Sequence, residues 1–301
     1  MANRYWVGNG GSISNTAHWS TTSGGSGGAS ISTTDDMFFD ANSFTLPNQT
    51  VTLGYSCNNF NSTGVTNTPT FSGGGLSITG NLICPGIVWQ FGFADGSLSL
   101  VAFQKTITLT TGGTLLPKLA ITGSSGVINL TDTLTLGGQQ YSFLEVLTIT
   151  PGAVSTTINT NGNAVNCYGF TIQLGSGTTI LDNSTITITG ALSIAPGANI
   201  SAVGTTWILS NGSSASIDGT SSAITLLGNS SDRLTITNNS GSSKTISNST
   251  LTNTVLNGTH GFNMVEIIDG GGNDWGDGGG GTGNPTRLYH VKVPPTHVAL
   301  P

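Results

Sequence analysis

The segment Thr185-Ile-Thr-Ile-Thr-Gly190-Ala-Leu-Ser-Ile194 decides the fold class, because apolar residues alternate with small polar ones around a single glycine. A period of two places one set of side chains in a core and the other in water, as in a β-strand with one buried face. The outward residue is usually Thr, which tolerates an exposed strand without charge. Similar runs recur between about residues 76 and 256, among them Thr106–Thr110, Leu119–Thr122, Leu147–Thr150, Phe170–Leu174 and Leu234–Thr237. The sequence therefore predicts an all-β fold.

Turn-forming pairs such as Gly-Ser, Asn-Gly and Asp-Gly separate these runs. They supply the positive φ angles and tight turns that end a strand. Strands of about four to six residues, with a turn every ten or so, fit a sandwich, a barrel or a solenoid. Because the pattern continues for ~180 residues, beyond the ~100 of a typical sandwich, and because its strands are monotonous, we predict a parallel β-helix, that is, a β-solenoid.

A solenoid of this length would stack about eight coils of roughly 20–25 residues into a rod near 40 Å long, at ~4.8 Å per coil. No strict period in the sequence fixes the coil boundaries. Two consecutive β-sandwiches are the alternative architecture.

The composition excludes several functional classes. Thr (47), Ser (35), Asn (27) and Gly (45) make up just over half of the 301 residues, and only 7% are charged. Seven basic residues and a net charge of −6 cannot build a cationic face for nucleic acid. No apolar stretch approaches the ~20 residues of a membrane helix. Three Cys cannot form a disulfide framework and favour a reducing compartment.

The chain divides into four predicted segments. Residues 1–75 form an aromatic-rich N-terminal β module that has its own small core or caps the solenoid, residues 76–269 form the solenoid body, residues 270–284 form a Gly-rich linker, and residues 285–301 form an extended arm. The residues that we expect to build the core of the N-terminal module are Trp6, Trp19, Phe38 and Phe39.

The tail that follows the Gly-rich linker is predicted to dock on another subunit. It reads Asn-Pro-Thr-Arg287-Leu-Tyr289-His-Val-Lys292-Val-Pro-Pro, and its proline density makes it extended. Arg287, Tyr289 and Lys292 are the expected contact residues of this arm.

The candidate catalytic and metal-binding residues do not form a site in the sequence. Glycoside hydrolysis needs two carboxylates across a groove. The carboxylates of the chain include Asp35, Asp36, Asp40, Asp95, Asp132, Glu145, Asp182, Asp218, Asp232, Glu266 and Asp269. Most adjoin turn residues, where Asp caps its own backbone, and no pair recurs at strand spacing near Trp or Tyr. We predict neither an enzyme nor a cofactor.

Two local motifs fit known sites only in part. The Asp269–Asp277 loop is rich in the hard oxygen ligands that Ca²⁺ prefers, but its spacing fits no calcium loop, and we read it as a Gly/Asp turn. The Gly24–Gly28 segment satisfies the Gly-x-Ser-x-Gly pattern but lacks the flanking strand and helix of a nucleophile elbow, and we read it as a low-complexity linker.

The N-terminal sequence resembles a recurring module of tailed-bacteriophage virion proteins and bacterial surface proteins. It runs Arg4-Tyr-Trp-Val-Gly-Asn-Gly10, then Ala17-His-Trp-Ser20 and a Gly/Ser stretch, then Asp35-Asp-Met-Phe-Phe-Asp40. The Asp-Gly-Gly-Gly-Asn-Asp-Trp sequence at residues 269–275 is similar to the end of that group, whereas residues 284–301 depart from it. The resemblance implies a structural or adhesive β-helical protein of the head-decoration or fibre type, and carries no catalytic residues.

These observations predict a non-enzymatic component of a bacteriophage virion exterior, either a capsid decoration (cement) protein, a head fibre or a tail fibre. The resemblance implies a homotrimer that contacts major capsid or tail proteins, with a host-surface glycan as a further partner. The N-terminus lacks the basic start and apolar stretch of an export signal, so we expect assembly in the host cytoplasm. The alternatives are a polysaccharide-binding or polysaccharide-cleaving tailspike and a secreted bacterial adhesin.

Overall fold

A computed structural model of the chain describes residues 1–91, 96–137, 145–210, 212–218, 224–228, 230–247, 249–260, 262–265, 268–269 and 273. Within these ranges the chain is built from β-strands, and its only helical segment is the 3-10 turn Thr16–His18. The strands stack in parallel as a β-solenoid of about nine turns. The predicted all-β solenoid is therefore confirmed, and the double sandwich is not formed.

The strands have the following bounds. The N-terminal ones are β1 (Asn3–Trp6), β2 (Gly11–Ser12), β3 (Trp19–Ser20), β4 (Asp36–Phe38), β5 (Thr50–Cys57), β6 (Phe60–Asn61), β7 (Thr70–Ile78), β8 (Leu82–Ile83), β9 (Val88–Gln90) and β10 (Leu98–Phe103). The central ones are β11 (Thr106–Thr110), β12 (Leu119–Ser124), β13 (Gly126–Leu130), β14 (Leu134–Thr135), β15 (Val146–Pro151), β16 (Thr156–Asn159), β17 (Ala164–Ile172), β18 (Thr178–Asp182), β19 (Thr185–Ile194) and β20 (Asn199–Ser201). The C-terminal ones are β21 (Thr206–Leu209), β22 (Ser214–Asp218), β23 (Ile224–Leu227), β24 (Leu234–Asn238), β25 (Lys244–Ser247), β26 (Ser249–Thr252), β27 (Thr254–Asn257), β28 (Phe262–Val265) and β29 (Ile268–Asp269).

The strands form three parallel ladders that run along the solenoid. Ladder one is the 13-stranded sheet from β1 to β29, closed at its N-terminal edge by β3. The 16-stranded sheet contains the other two. Ladder two runs from β2 to β27 and contains the first halves of the long strands β5, β7, β17 and β19. Ladder three contains the second halves of the same four strands, together with β10, β12, β15, β22, β25 and β28. From β4 onward each full turn of the chain adds one segment to each ladder, and on one of these turns the ladder-two segment is the isolated bridge at Leu116.

Apolar side chains stack on like side chains from turn to turn. Leu98 pairs in register with Leu119, which pairs with Leu147, and the next turn continues with Phe170. All four side chains are buried. A single apolar cluster, from Trp6 to Phe262, fills the interior of the described solenoid. The alternation seen in the sequence is therefore the inside and outside of the coil.

The N-terminal module continues the solenoid without a break. Strand β4 pairs with β6 and β6 with β8 in ladder one, and β7 crosses the predicted boundary between residues 75 and 76. The first strand, β1, pairs with β4 in parallel and with β3 in antiparallel register. The antiparallel β3 covers the first edge of ladder one, where a parallel coil would otherwise end.

The C-terminal segments fall almost wholly outside the described residues. The predicted linker 270–284 is described only at Asn273, and the arm 285–301, with Arg287, Tyr289 and Lys292, is not described. The side chain of Asn273 accepts a hydrogen bond from the Thr254 amide at 2.8 Å and donates one to the Leu251 carbonyl at 2.8 Å. These two bonds tie Asn273 to the last turns of the solenoid.

Candidate functional site: the N-terminal cap and the exposed surface

The first turns of the solenoid enclose a cluster of aromatic rings, which we call the N-terminal cap (Trp6, Trp19, Phe39, Phe44, Phe60 and Phe71). Phe39 lies at its centre. The Phe39 ring centroid is 5.6 Å from those of Trp6 and Trp19, 5.1 Å from that of Phe60 and 4.9 Å from that of Phe71. Tilted and edge-on rings at these separations attract beyond the area that they bury. Of the residues predicted to build the core, Trp6, Trp19 and Phe39 meet here and are fully buried.

The fourth of those residues, Phe38, lies outside the core. Successive side chains of a strand point to opposite faces of the sheet, so Met37 and Phe39 are buried while Phe38 is half-buried on the outer surface. There its ring stacks on that of Tyr5 with centroids 5.1 Å apart and planes 21° apart. Tyr5 and Phe38 are cross-strand partners in ladder one. Sequence alone does not reveal which of two adjacent Phe residues faces inward.

Both tryptophans of the cap hydrogen-bond through their indole N–H groups. Trp19 Nε1 donates to the Ile13 carbonyl at 2.7 Å, and Trp6 Nε1 donates to the Asn9 carbonyl at 2.5 Å. The Asn9 side chain in turn accepts from the amides of Thr45 and Leu46 at 2.8 and 3.0 Å. These bonds join the Trp-Val-Gly start to the loop that follows the Asp-Asp-Met-Phe-Phe-Asp box, and so hold the module closed.

The carboxylates of the N-terminal box serve the backbone. Asp35 accepts hydrogen bonds from the amides of Ala2 at 2.9 Å and Ser32 at 3.1 Å, and Arg4 lies 3.5 Å from it as an ion-pair partner. Asp36 accepts from the amide side chains of Asn58 and Asn59 in the next turn. A carboxylate that accepts from several local donors ties neighbouring segments together.

Asp132 has the same role in the solenoid body. Its carboxylate accepts from the amides of Thr111 (3.0 Å) and Gly112 (2.5 Å) and from the Thr111 hydroxyl (3.1 Å), all one turn earlier. Asp269 is described only in its backbone, and most of the Asp269–Asp277 loop lies outside the described residues. Within the described part of the chain, no three His, Cys, Asp or Glu side chains come together in a way that could hold a metal ion.

The three cysteines are buried free thiols. Burial raises the pKa of the Cys84 and Cys167 thiols to about 12, and burial together with the nearby Asp36 carboxylate raises the pKa of Cys57. Thiols in this state are poor nucleophiles and poor metal ligands, because the thiolate is the reactive form.

The Gly/Ser tract at residues 23–30 packs against the cap. The amide of Gly28 donates to the Thr16 carbonyl at 3.0 Å, and the amide of Ala29 donates to the Trp19 carbonyl at 2.9 Å. A Cβ atom at Gly27 would collide with the Ala17 carbonyl oxygen. Close backbone approach therefore requires glycine here, and the Gly-x-Ser-x-Gly match at residues 24–28 belongs to this packing and not to a nucleophile elbow.

Comparisons of the chain with protein-family models, with curated proteins and with solved structures find no match in any of the three. Among the residues that the structure describes, no helix is long and apolar enough to cross a membrane. The fold, the cap and the exposed surface are therefore the observations on which a functional proposal can stand.

Proposed function

We propose that this chain is a non-enzymatic structural component of a bacteriophage particle exterior, a decoration protein or fibre that stabilises the particle or presents a stiff rod to the host surface. The observation that carries the proposal is the single apolar core from Trp6 to Phe262, which joins the N-terminal cap to the last turns of the solenoid. A core without an internal break gives the rod no hinge. The N-terminal sequence, which resembles virion modules, supports the particle as its location.

The surface chemistry suits a mechanical role. Only 7% of the residues are charged, so the solenoid depends on stacked hydrogen bonds and buried apolar ladders instead of ion pairs. Hydrogen bonds between turns extend to the side chains, as between the Thr110 and Thr131 hydroxyls at 2.7 Å and from Thr150 to Gln173 at 2.7 Å. Such contacts are insensitive to the salt and dilution that weaken ion pairs.

The two ends of the rod are the proposed points of attachment. The N-terminal cap is rigid and buries its aromatic side chains, so it can bear load against a capsid or tail protein. Residues 285–301 act as the docking arm between subunits, with Arg287, Tyr289 and Lys292 as contact residues. A homotrimer, assembled in the host cytoplasm and carried on the virion, is the assembly that we propose.

The proposal is tested by finding the chain in intact particles. Quantitative mass spectrometry of gradient-purified virions should detect it at a copy number that is a multiple of three, and gold-labelled antibody should mark the outside of the particle. A variant truncated after Asn284 should lose incorporation and fall in oligomer mass. Absence of the chain from purified particles would contradict the proposal.

A second candidate function, contact with a host glycan, is favoured by the outward Tyr5–Phe38 pair. Stacked, half-exposed rings offer a platform for the apolar face of a sugar ring, and Asp36 lies two residues before Phe38 on the same face of β4, with its carboxylate bonded to the Asn59 side chain of the next turn. Tyr5→Ala should then weaken adsorption to host capsule, whereas Thr187→Ala on ladder two should not. Release of reducing sugar from the capsule would indicate a cleaving tailspike instead.

A further inference from the structure

An apolar groove opens on the outer surface where ladder two is irregular. It has a volume of about 370 Å³. The groove is lined by the apolar residues Ile87, Val88, Trp89 and Leu115 and by glycines from three successive turns. Val88 and Leu115 are 43% and 44% exposed, although they are large apolar residues. Among the residues that the structure describes, the lining contains no charged side chain. A cleft of this size and composition suits apolar side chains.

The groove results from a local change in the coil. On ladder two, β9 pairs with β7 below it, and β14 pairs with β17 above it. On the turn between β9 and β14, Leu116 takes the place of a strand in the described residues, and an isolated bridge joins it to Leu136, directly after β14. Gly86, Gly112 and Gly113 have positive φ angles at this place, and no side chain from them fills the space. The coil therefore leaves a depression beside Val88 and Leu115.

The chain itself contains a segment of matching chemistry. Residues 287–293 read Arg-Leu-Tyr-His-Val-Lys-Val, and two prolines follow. In this segment Tyr289, Val291 and Val293 alternate with the polar residues His290 and Lys292. An extended segment with this period presents one apolar row. It lies beyond Asn273, the last described residue.

The lengths allow the segment to reach such a groove. Seven steps of ladder two separate β27 from β9, or about 34 Å at ~4.8 Å per turn. The stretch of about 15 residues from Asn273 to Leu288 can span ~50 Å when extended. A segment of this length therefore covers the distance that separates β27 from the groove along the rod.

We propose that the groove beside Val88 and Leu115 is the receptor for the C-terminal arm, and that the arm of a neighbouring copy inserts the Tyr289–Val293 row into it. This inference rests on the proposed docking role of residues 285–301 and specifies its binding site. His290 and Lys292, on the opposite face of the extended segment, stay toward solvent, and Arg287 precedes the apolar row at the edge of the groove. The arm then links copies by apolar contact, in agreement with the low charge of the whole chain.

Cysteine cross-linking in the full chain tests the proposal, because the natural thiols are buried and unreactive. Double variants carry Val88→Cys with one of Tyr289→Cys, Val291→Cys or Val293→Cys, and a short bismaleimide is added at pH 7. The matched control carries Leu174→Cys, which replaces a residue that is 60% exposed and lies outside the groove, with the same tail substitutions. We expect at least one groove pair to cross-link about tenfold faster than its control, because docking raises the effective concentration of the two thiols.

The mass of the product on a denaturing gel shows whether the cross-link joins two copies or two positions in one chain. A covalent dimer that is lost on adding Leu115→Asp supports insertion between copies. An intramolecular product, or equal rates for groove and control pairs, would overturn the proposal. The result is independent of where the protein sits in a particle, so the arm receptor can fail while the proposed virion role stands, and the reverse.

Discussion

Phe38 and Phe39 are adjacent in sequence and lie on opposite sides of ladder one. Phe39 contacts five other rings in the cap, while Phe38 contacts Tyr5 on the outer surface. Their difference comes from the pleat of β4, which sets the direction of each side chain. The two adjacent Phe residues therefore contribute differently to the free energy of folding, although they belong to the same sequence motif.

Phe39→Ala should destabilise the protein strongly, and Phe38→Ala should not. Removal of a fully buried Phe ring costs about 3–5 kcal/mol, because it forfeits burial and leaves a cavity. Loss of one half-exposed aromatic pair costs about 0.5–1.5 kcal/mol. Unfolding in guanidinium chloride, followed by circular dichroism, measures both variants. Equal losses would mean that the two rings are not divided between core and surface.

The buried thiols predict a loss of stability at alkaline pH. Since the pKa values of Cys84 and Cys167 are about 12 in the folded chain and 9.0 for an exposed thiol, the unfolded chain releases protons that the folded chain keeps. The contribution of these thiols to the free energy of unfolding should be constant below pH 9. Above pH 9 the free energy of unfolding should fall by about 1.4 kcal/mol per pH unit for each thiol.

The measurement is the urea midpoint between pH 8 and pH 11. Cys167→Ala is the control, because it removes one titrating group and should reduce the slope by that group's share. A wild-type midpoint that does not fall above pH 9, or a slope unchanged in the variant, would contradict the raised pKa values of the buried thiols.

At the scale of the strands, alternation in the sequence was sufficient to predict the elements but not their assembly into three ladders. The runs around Ile107, Ile149 and Ile188 are the strands β11, β15 and β19. The register explains why no period emerged: Leu98 pairs with Leu119, but Ile128 pairs with Ile158, so turns differ in length. Loops absorb that difference, and loop length carries no periodic signal.

For the N-terminal module, too, the sequence predicts local features but not how they pack against the rest of the chain. Its aromatic residues predict a core, and three of them form one. Continuity with the solenoid depends on pairings such as that of Met37 with Phe60, between positions distant in sequence, which composition does not reveal. The segment Gly24–Gly28 was predicted as a low-complexity linker, although backbone hydrogen bonds of Gly28 and Ala29 hold this tract against the cap.

Close packing between turns makes Gly126 intolerant of a side chain. A Cβ atom there would collide with the Ala102 carbonyl oxygen and lie 2.6 Å from the Ala102 Cβ atom, on the preceding turn. Gly126→Ala should lower the free energy of unfolding by about 2 kcal/mol, as overpacking does. Gly137→Ala is the control, since its Cβ atom would lie 3.7 Å from Leu115 Cδ1, an ordinary contact. Similar effects of the two substitutions on the thermal midpoint would contradict the register of β13.

For the whole molecule, stability should hardly depend on salt. The solenoid is held by apolar stacking and hydrogen bonds, and 20 charged side chains are spread over 301 residues. We expect the free energy of unfolding to change by less than about 1 kcal/mol between about 0.05 and 1 M NaCl. Equilibrium unfolding at the two salt concentrations tests this, and a loss of several kcal/mol at high salt would reveal ion pairs as the dominant contribution.

The central claim is that one uninterrupted solenoid runs from the cap to the last coil. A density map of the purified chain at a resolution that separates strands, from crystals or from electron cryo-microscopy, tests it most directly. The map should show three parallel ladders with ~4.8 Å between turns and Leu98, Leu119 and Leu147 stacked in one column. Two antiparallel sheets packed face to face, or separate cores before and after residue 75, would contradict it.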